Sequence, residues 1–192
     1  GIVRSGDEGM VLPSGKTTRV QSIETFDGSL EEAFAPLAVT LTLEDEIDCS
    51  RGDMIVRPGN VPKQQQKLST MMVWMSEEPM VPGKQYLFKH TTKMITGTIE
   101  TLRYRIDVNT LHRDEEAKTL QLNEIARISV HAQQPLLFDA YRKNRETGSF
   151  ILIDEATNKT VGAGMITAPV SKDSHVVWQT TKVTREQRTH QG

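Results

Sequence analysis

Several short stretches of the chain carry residue types that could do chemistry. Gly15-Lys16-Thr17 has the ending of a phosphate-binding loop. In that loop, backbone N–H groups and a helix N-terminus face the phosphates. The full motif needs a glycine five residues before Gly15, and that position is Met10. It also needs a helix to follow, whereas a β-branched stretch follows here. A plain hairpin turn is expected, and the chain is expected to bind neither GTP nor ATP. Glu44-Asp45-Glu46 with Asp48 gathers carboxylates that could hold a cation or act as acid and base. A solvated acidic loop after a strand is the favoured reading. Tyr141-Arg142-Lys143-Asn144-Arg145 puts three cations in one loop, suited to phosphate, RNA or an acidic partner. An interface or solvated loop is favoured there over catalysis.

The remaining candidates read as structure. Arg51-Gly52-Asp53 is expected to be a turn into a strand, and Asn158-Lys159-Thr160 a tight turn. His90, His112, His131, His175 and His190 are scattered, and none pairs at a metal-ligand spacing. Cys49 is the only cysteine, so neither an internal disulfide nor a multi-cysteine zinc site can form. A packed thiol in a reducing cytoplasm is expected for it. No nucleophile–base pair stands out. No catalytic, cofactor-binding or metal-ligating residue is therefore assigned.

The elements that would position these residues follow a period of two. In Leu37–Leu43, Leu37, Val39, Leu41 and Leu43 share one face, which predicts a half-buried strand. Thr17–Phe26 changes parity between Val20 and Ile23, which predicts a bulge or a strand buried on both faces. Met54–Val56, Thr70–Ser76, Gln85–Thr91, Met94–Ile106, Glu124–Ala132, Gly148–Asp154 and Thr160–Thr167 also read as strands. In Thr70–Ser76 both parities are apolar, so Trp74 is expected in a core, on a strand covered on both sides. The one helical candidate is a short turn over Asp114–Thr119. Turns are expected at Pro13-Ser14-Gly15, Asp27-Gly28 and Glu155–Lys159. Arg57–Lys67, with two prolines and three glutamines, reads as a domain boundary. After Thr167 the strand rhythm stops. The expected class is all-β, with two consecutive antiparallel barrels over 1–60 and 61–168 and a linker over 169–192.

Length and charge limit the function. The 192 residues fit one large or two small domains. No apolar run approaches the roughly 18–20 residues that cross a bilayer. Residues 1–66 hold 6 basic and 11 acidic groups, and residues 67–168 hold 13 and 12. Neither balance suits a nucleic-acid binder. The opening Gly1-Ile2-Val3-Arg4 has no initiator Met and no signal peptide. The chain is expected to be cut from a longer one, with the first strands of the first barrel upstream.

Two segments resemble the second and third domains of translation-factor GTPases of the elongation factor Tu type. They are Ser50–Gly59, an Arg-Gly strand with a Pro-Gly exit, and Thr160–Ile166. Other blocks resemble, more narrowly, the GTPase (large) subunit of bacterial sulfate adenylyltransferase. These are Val11–Lys16, Thr25–Gly28, Leu30–Ala35, Leu43–Asp48, Val73–Pro79, Pro82–Tyr86, Arg103–Leu111, Leu122–Ile125, Thr147–Asp154 and Val161–Ile166. Within the tail, Ser174–Trp178 and Lys182–Arg188 resemble the opening of adenylylsulfate kinase, as in fused sulfate-activation and nodulation enzymes.

The resemblance implies a cytoplasmic enzyme in which a small catalytic subunit joins ATP and sulfate into adenosine 5′-phosphosulfate and pyrophosphate. GTP hydrolysis on the large subunit drives that step. The implied partners are an upstream GTPase domain, the small subunit and a downstream kinase domain, with no nucleic acid and no membrane. GTP, ATP and Mg are implied for the full-length enzyme and none for this chain. The role left for the barrels is coupling between interfaces, with the loops Arg142–Arg145 and Asp107–Thr110 as contact candidates. The alternative is an RNA-binding barrel pair of a translation GTPase.

Overall fold

A computed structural model describes residues 1–169. They form fourteen strands and no α-helix. The turns and alternation in the sequence account for most of them. β1 (Ile2–Arg4), β2 (Glu8–Leu12), β3 (Lys16–Thr25), β4 (Gly28–Leu30), β5 (Glu32–Phe34), β6 (Thr40–Leu43) and β7 (Met54–Val56) make up the first set. The second set is β8 (Lys63–Trp74), β9 (Gln85–His90), β10 (Lys93–Ile106), β11 (Arg113–Asp114), β12 (Ile125–Phe138), β13 (Ser149–Ile153) and β14 (Thr160–Pro169).

The second set closes on itself. Its order is β10-β12-β8-β14-β13-β9, and β9 pairs back onto β10. Every pairing in this six-strand ring is antiparallel. Closure removes the free edges that an open sheet would expose. Alternation points Leu68, Met72, Trp74, Phe88, Ile128 and Phe150 into one core. The first set has the order β4-β3-β2-β7, with β6 also on β3 and a separate β1–β5 ribbon. Its named pairings do not form a ring among the described residues. Its small core cluster is Val20, Ile23 and Ala33, packed against Val3, Val39 and Leu41. With less buried apolar area and more unpaired edge, backbone amides in 2–56 should exchange faster than those of β8, β12 and β14. Equal protection by native-state hydrogen exchange would contradict this.

The parity change in β3 is a bulge. Its register with β6 shifts between Val20 and Ser22, so Val20 and Ile23 both reach the core. Four expectations need correction. Leu37 is outside the strand and 48% exposed; only Thr40–Leu43 pairs. Lys63–Lys67 is strand rather than boundary, because β12 continues past a register shift and Gln65, Gln64 and Lys63 pair with Leu136, Leu137 and Phe138. Backbone hydrogen bonds hold that polar stretch, so it carries no apolar rhythm. Asp114–Thr119 is not helical: Asp114 pairs with Arg105 in the ladder, and its carboxylate accepts the Glu116 N–H at 3.1 Å. β14 also runs on to Pro169 after a shift between Ile166 and Ala168. The linker and kinase-like stretch from 170 onward lies outside the described residues.

Candidate interaction site

The chemistry-bearing side chains gather at the ends of the ring, where loops leave the strands. Asp154 closes β13 and is buried. One carboxylate oxygen accepts the N–H groups of Ala156 and Thr157 at 3.1 and 3.0 Å and the Thr157 hydroxyl at 3.1 Å. The other accepts Lys84 Nζ at 2.7 Å. Lys84 also lies 5.5 Å from the Tyr86 ring centroid. The Lys84 hydrogen bond, then the Thr157 N–H, lower the Asp154 pKa from 3.8 to about 2 against the opposing effect of burial. Both oxygens of this carboxylate are thus engaged, and it works as a clamp on the 155–159 turn.

That clamp predicts a pH dependence. A carboxyl whose folded pKa is depressed contributes stability above its unfolded pKa and loses it as pH falls through the folded value. The contribution should therefore be whole above about pH 4 and fade toward about pH 2. Asp154→Asn keeps the turn acceptor and removes the ion pair. Its urea midpoint should fall less than that of the wild-type chain in this window. Parallel losses in the two proteins would rule the clamp out.

At another loop, Arg105 joins two acids, with Nη1 2.7 Å from Glu124 and Nη2 2.8 Å from Asp114. The next turn is closed by Asp107, whose Oδ1 accepts the N–H groups of Asn109 and Thr110 at 2.8 and 3.0 Å. Those backbone bonds, Thr110 first, hold its carboxyl below the usual range. The rigid turn presents Val108 and Leu111 to solvent, 58% and 76% exposed. An anchored loop with apolar tips has the composition of a contact surface.

The Tyr141–Arg145 loop is docked on the ring. Tyr141 N–H donates to the Ile166 carbonyl at 2.8 Å, and Ile166 N–H donates to the Gly148 carbonyl at 2.7 Å. Gly148 N–H donates to the Asn144 carbonyl at 2.9 Å. Buried His90 holds the same loop through Nε2, 2.8 Å from the Thr147 carbonyl. Burial pushes the His90 pKa down, which favours the neutral ring. Lys143 is paired with Asp139 at 2.8 Å. Among the described residues, Arg142 and Arg145 have no such partner. A cavity of about 660 Å³ lies beside this loop, lined by Tyr141, Arg145, Lys89, Val73, Ile151 and Met165.

The other candidates stay apart. Gly15-Lys16-Thr17 turns the β2–β3 hairpin, and the Gly15 N–H donates to Val11 at 2.8 Å. That amide does not face outward for a phosphate, so these residues do not fit a nucleotide. Arg51-Gly52-Asp53 is a closed turn in which Asp53 accepts the Ser50 N–H at 2.8 Å. Asn158 takes a left-handed φ of 56° in its turn. Glu44, Asp45, Glu46 and Asp48 are exposed. His112 is exposed on its loop, and His131 lies 3.5 Å from Glu100; His175 and His190 fall outside the described residues. Among the described residues, no group of three His, Cys, Asp or Glu is placed to hold a metal. Cys49 is exposed rather than packed, because the loop after β6 carries it off the small core. Sequence reasoning missed the Lys84–Asp154 and Arg105 pairs. Only Asp154 ahead of Ala156-Thr157-Asn158 signals its turn locally.

Comparison with known proteins agrees with this architecture. The chain is 56% identical over 179 residues to the bifunctional enzyme CysN/CysC of Rhodopirellula baltica, covering 93% of this chain and 28% of that protein. It is 52% identical over 174 residues to sulfate adenylyltransferase subunit 1 of Alteromonas mediterranea, covering 91% and 37%. The chain thus spans about a third of the length of these relatives. The structure of Sup35 complexed with GDP superposes with a TM-score of 0.78 at 14% identity, covering 89% of this chain and 42% of that one, a likeness of fold. Residues 67–167, over half the chain, match the family described as GTP-eEF1A C-terminal domain-like, and the chain belongs to that family.

Proposed function

We propose that this chain is the barrel portion of the GTP-hydrolysing subunit of a sulfate adenylyltransferase, and that its work is mechanical coupling. The observation that carries the reading is the identity with sulfate adenylyltransferase subunit 1 and with CysN/CysC across nearly the whole chain. In this reading residues 1–60 and 61–168 are two barrels and 169–192 lead into an adenylylsulfate kinase. The GTPase domain of the same polypeptide, the small catalytic subunit and the kinase domain are the partners, all in the cytoplasm. GTP, ATP and Mg act elsewhere in the full-length enzyme.

The reaction explains why coupling is needed. A sulfate oxygen attacks the α-phosphorus of ATP and pyrophosphate leaves, forming a mixed anhydride that is uphill. GTP hydrolysis can drive this step only if the nucleotide state biases a packed interface that the other subunit reads. A closed ring with anchored loops moves as a rigid body and passes on such a bias without absorbing it. The Asp107–Thr110 and Tyr141–Arg145 loops are the contact candidates.

The test uses the full reading frame co-purified with the small subunit. Pyrophosphate release from ATP should depend on sulfate and rise with GTP but not with a non-hydrolysable GTP analogue. The chain alone should release none. Absence of sulfate-dependent release would overturn the reading. Salt-sensitive, saturable transfer-RNA binding by the chain would favour the translation-GTPase alternative.

A further inference from the structure

We propose that the outer face of the ring, across β12, β8, β14 and β13, docks a protein segment with an apolar centre and carboxylates at both ends. The inference rests on this surface alone and does not need the sulfate-activation reading. Two rows of residues cross the face in register. One runs Arg127–Met71–Met165–Ser149. The next runs Ile125–Val73–Ala163–Ile151 and ends at Lys89 of β9. These positions point away from the core, which takes Met72, Ile128 and Phe150 from the alternate sites. An outward row on a small barrel in water is ordinarily polar. Here Met71, Val73, Ile125, Ile151 and Met165 are all half-buried. They form a shallow apolar floor that no described segment covers.

Cations flank that floor on both sides. On the β10 side, a register shift between Leu102 and Tyr104 sets Arg103 close to Tyr104. Arg103 Nε donates to Ser129 Oγ at 3.2 Å, and Arg127 Nε donates to Ser69 Oγ at 2.8 Å. Arg113 lies over the Tyr104 ring, 4.8 Å from its centroid. The two serines fix the stems, and among the described residues no hydrogen bond or ion pair takes up the terminal nitrogens of these three arginines. Burial lowers the Arg127 pKa, Tyr104 opposes that, and the positive charges of Arg103 and Arg113 lower it further. Three carboxylates on the β10 side are committed elsewhere. Glu124 and Asp114 bind Arg105, and Glu100 binds Lys67. On the far side stand Lys89 and Arg145, without ion partners among the described residues, with Glu146 the one carboxylate on that rim.

Like charges held together without a counter-ion repel, and a partner that brings carboxylates relieves the repulsion. Guanidinium forks suit carboxylates in paired geometry. Met, Tyr and Arg around an apolar middle is also the composition of energetic centres in protein interfaces. From β12, which carries Arg127, to β9, which carries Lys89, the sheet takes four strand steps, roughly 19 Å at ~4.8 Å per step. An extended segment covers that in about five or six residues. A nucleic acid fits less well. Its phosphates need a continuous cationic track, whereas these cations fall into two groups around an apolar floor. The tail is a poorer match, since residues 169–192 are net basic, with 4 basic and 2 acidic groups.

The test is a fluorescence-anisotropy titration of the chain with a dye-labelled peptide that has Asp-Glu pairs at both ends of a Leu/Trp centre about five residues long. Saturable micromolar binding that weakens with salt is expected. The double variant R103E/R113E should weaken it by about tenfold or more, and R145E by roughly severalfold. K16E, the same charge change at the β2–β3 hairpin, should leave it unchanged. Replacing the peptide centre with Gly-Ser should also weaken binding. Thermal melts confirm that each variant is folded, and M165D, which alters the floor without touching a cation, gives an independent loss. Three results would overturn the proposal: no saturable binding, equal binding by wild type and R103E/R113E, or tighter binding of polyuridylate RNA that depends on the same arginines.

Discussion

Replacing Trp74 with alanine is expected to cost about 3–5 kcal/mol of stability. Trp74 is 2% exposed and sits in the ring's core. Its ring meets Tyr86 edge-on, with centroids 5.8 Å apart and planes at 74°. Its indole N–H donates to the Glu78 carbonyl at 2.7 Å. Truncation removes the largest buried side chain, opens a cavity and strands that carbonyl. Trp74→Phe keeps an aromatic ring and loses the donor, so its cost should be smaller. Urea unfolding followed by far-ultraviolet circular dichroism measures both. A loss below about 1 kcal/mol with the fold intact would place Trp74 at a surface. The strand is not covered equally on both sides, however. Met71 and Val73 are half-buried and Met75 is 51% exposed, so Met75→Ala should cost little.

Gly148→Ala should be nearly as damaging, about 3 kcal/mol or more. A Cβ at Gly148 would lie 2.4 Å from Tyr141 Cα and 2.5 Å from the Asn144 carbonyl oxygen. Both obstacles are backbone, so no rotamer change relieves them. The Tyr141–Thr147 loop would have to leave the ring, breaking the Tyr141–Ile166 and Ile166–Gly148 hydrogen bonds. It would also take the Thr147 carbonyl away from His90. Amide exchange at Tyr141 and Ile166 should accelerate together. Gly59, with open space around its would-be Cβ, supplies the control: Gly59→Ala should change stability by no more than about 0.5 kcal/mol. If Gly148→Ala matched that control, the loop would not be docked as described.

Legibility in the sequence depended on how local each cause was. The bulge in β3 showed as a change of parity between Val20 and Ile23, because side-chain direction along a strand is a nearest-neighbour property. The Lys63–Lys67 part of β8 did not show, because its pairing partners Leu136–Phe138 lie some seventy positions away. The stretch 114–119 reads in the sequence as the one candidate for a short helical turn. Its true state was set by the ladder pairing of Asp114 with Arg105 and an Asx-type turn. Leu37 fitted the alternation of its neighbours, yet nothing there buried the face it would have occupied.

By itself the sequence determined the all-β class, most strand positions, and the turns at Gly15, Gly28 and Asn158. All of these follow from the period of two and from residues with special backbone freedom, which act within a few positions of themselves. Only the tertiary structure decided that β13 joins β9 and closes the ring. It alone brought Lys84 to Asp154, set Arg127 opposite Tyr104, and left Cys49 in solvent. Each of these is a contact, or a missing contact, between residues far apart in the chain, and pattern within a window holds no information about which strands will become neighbours.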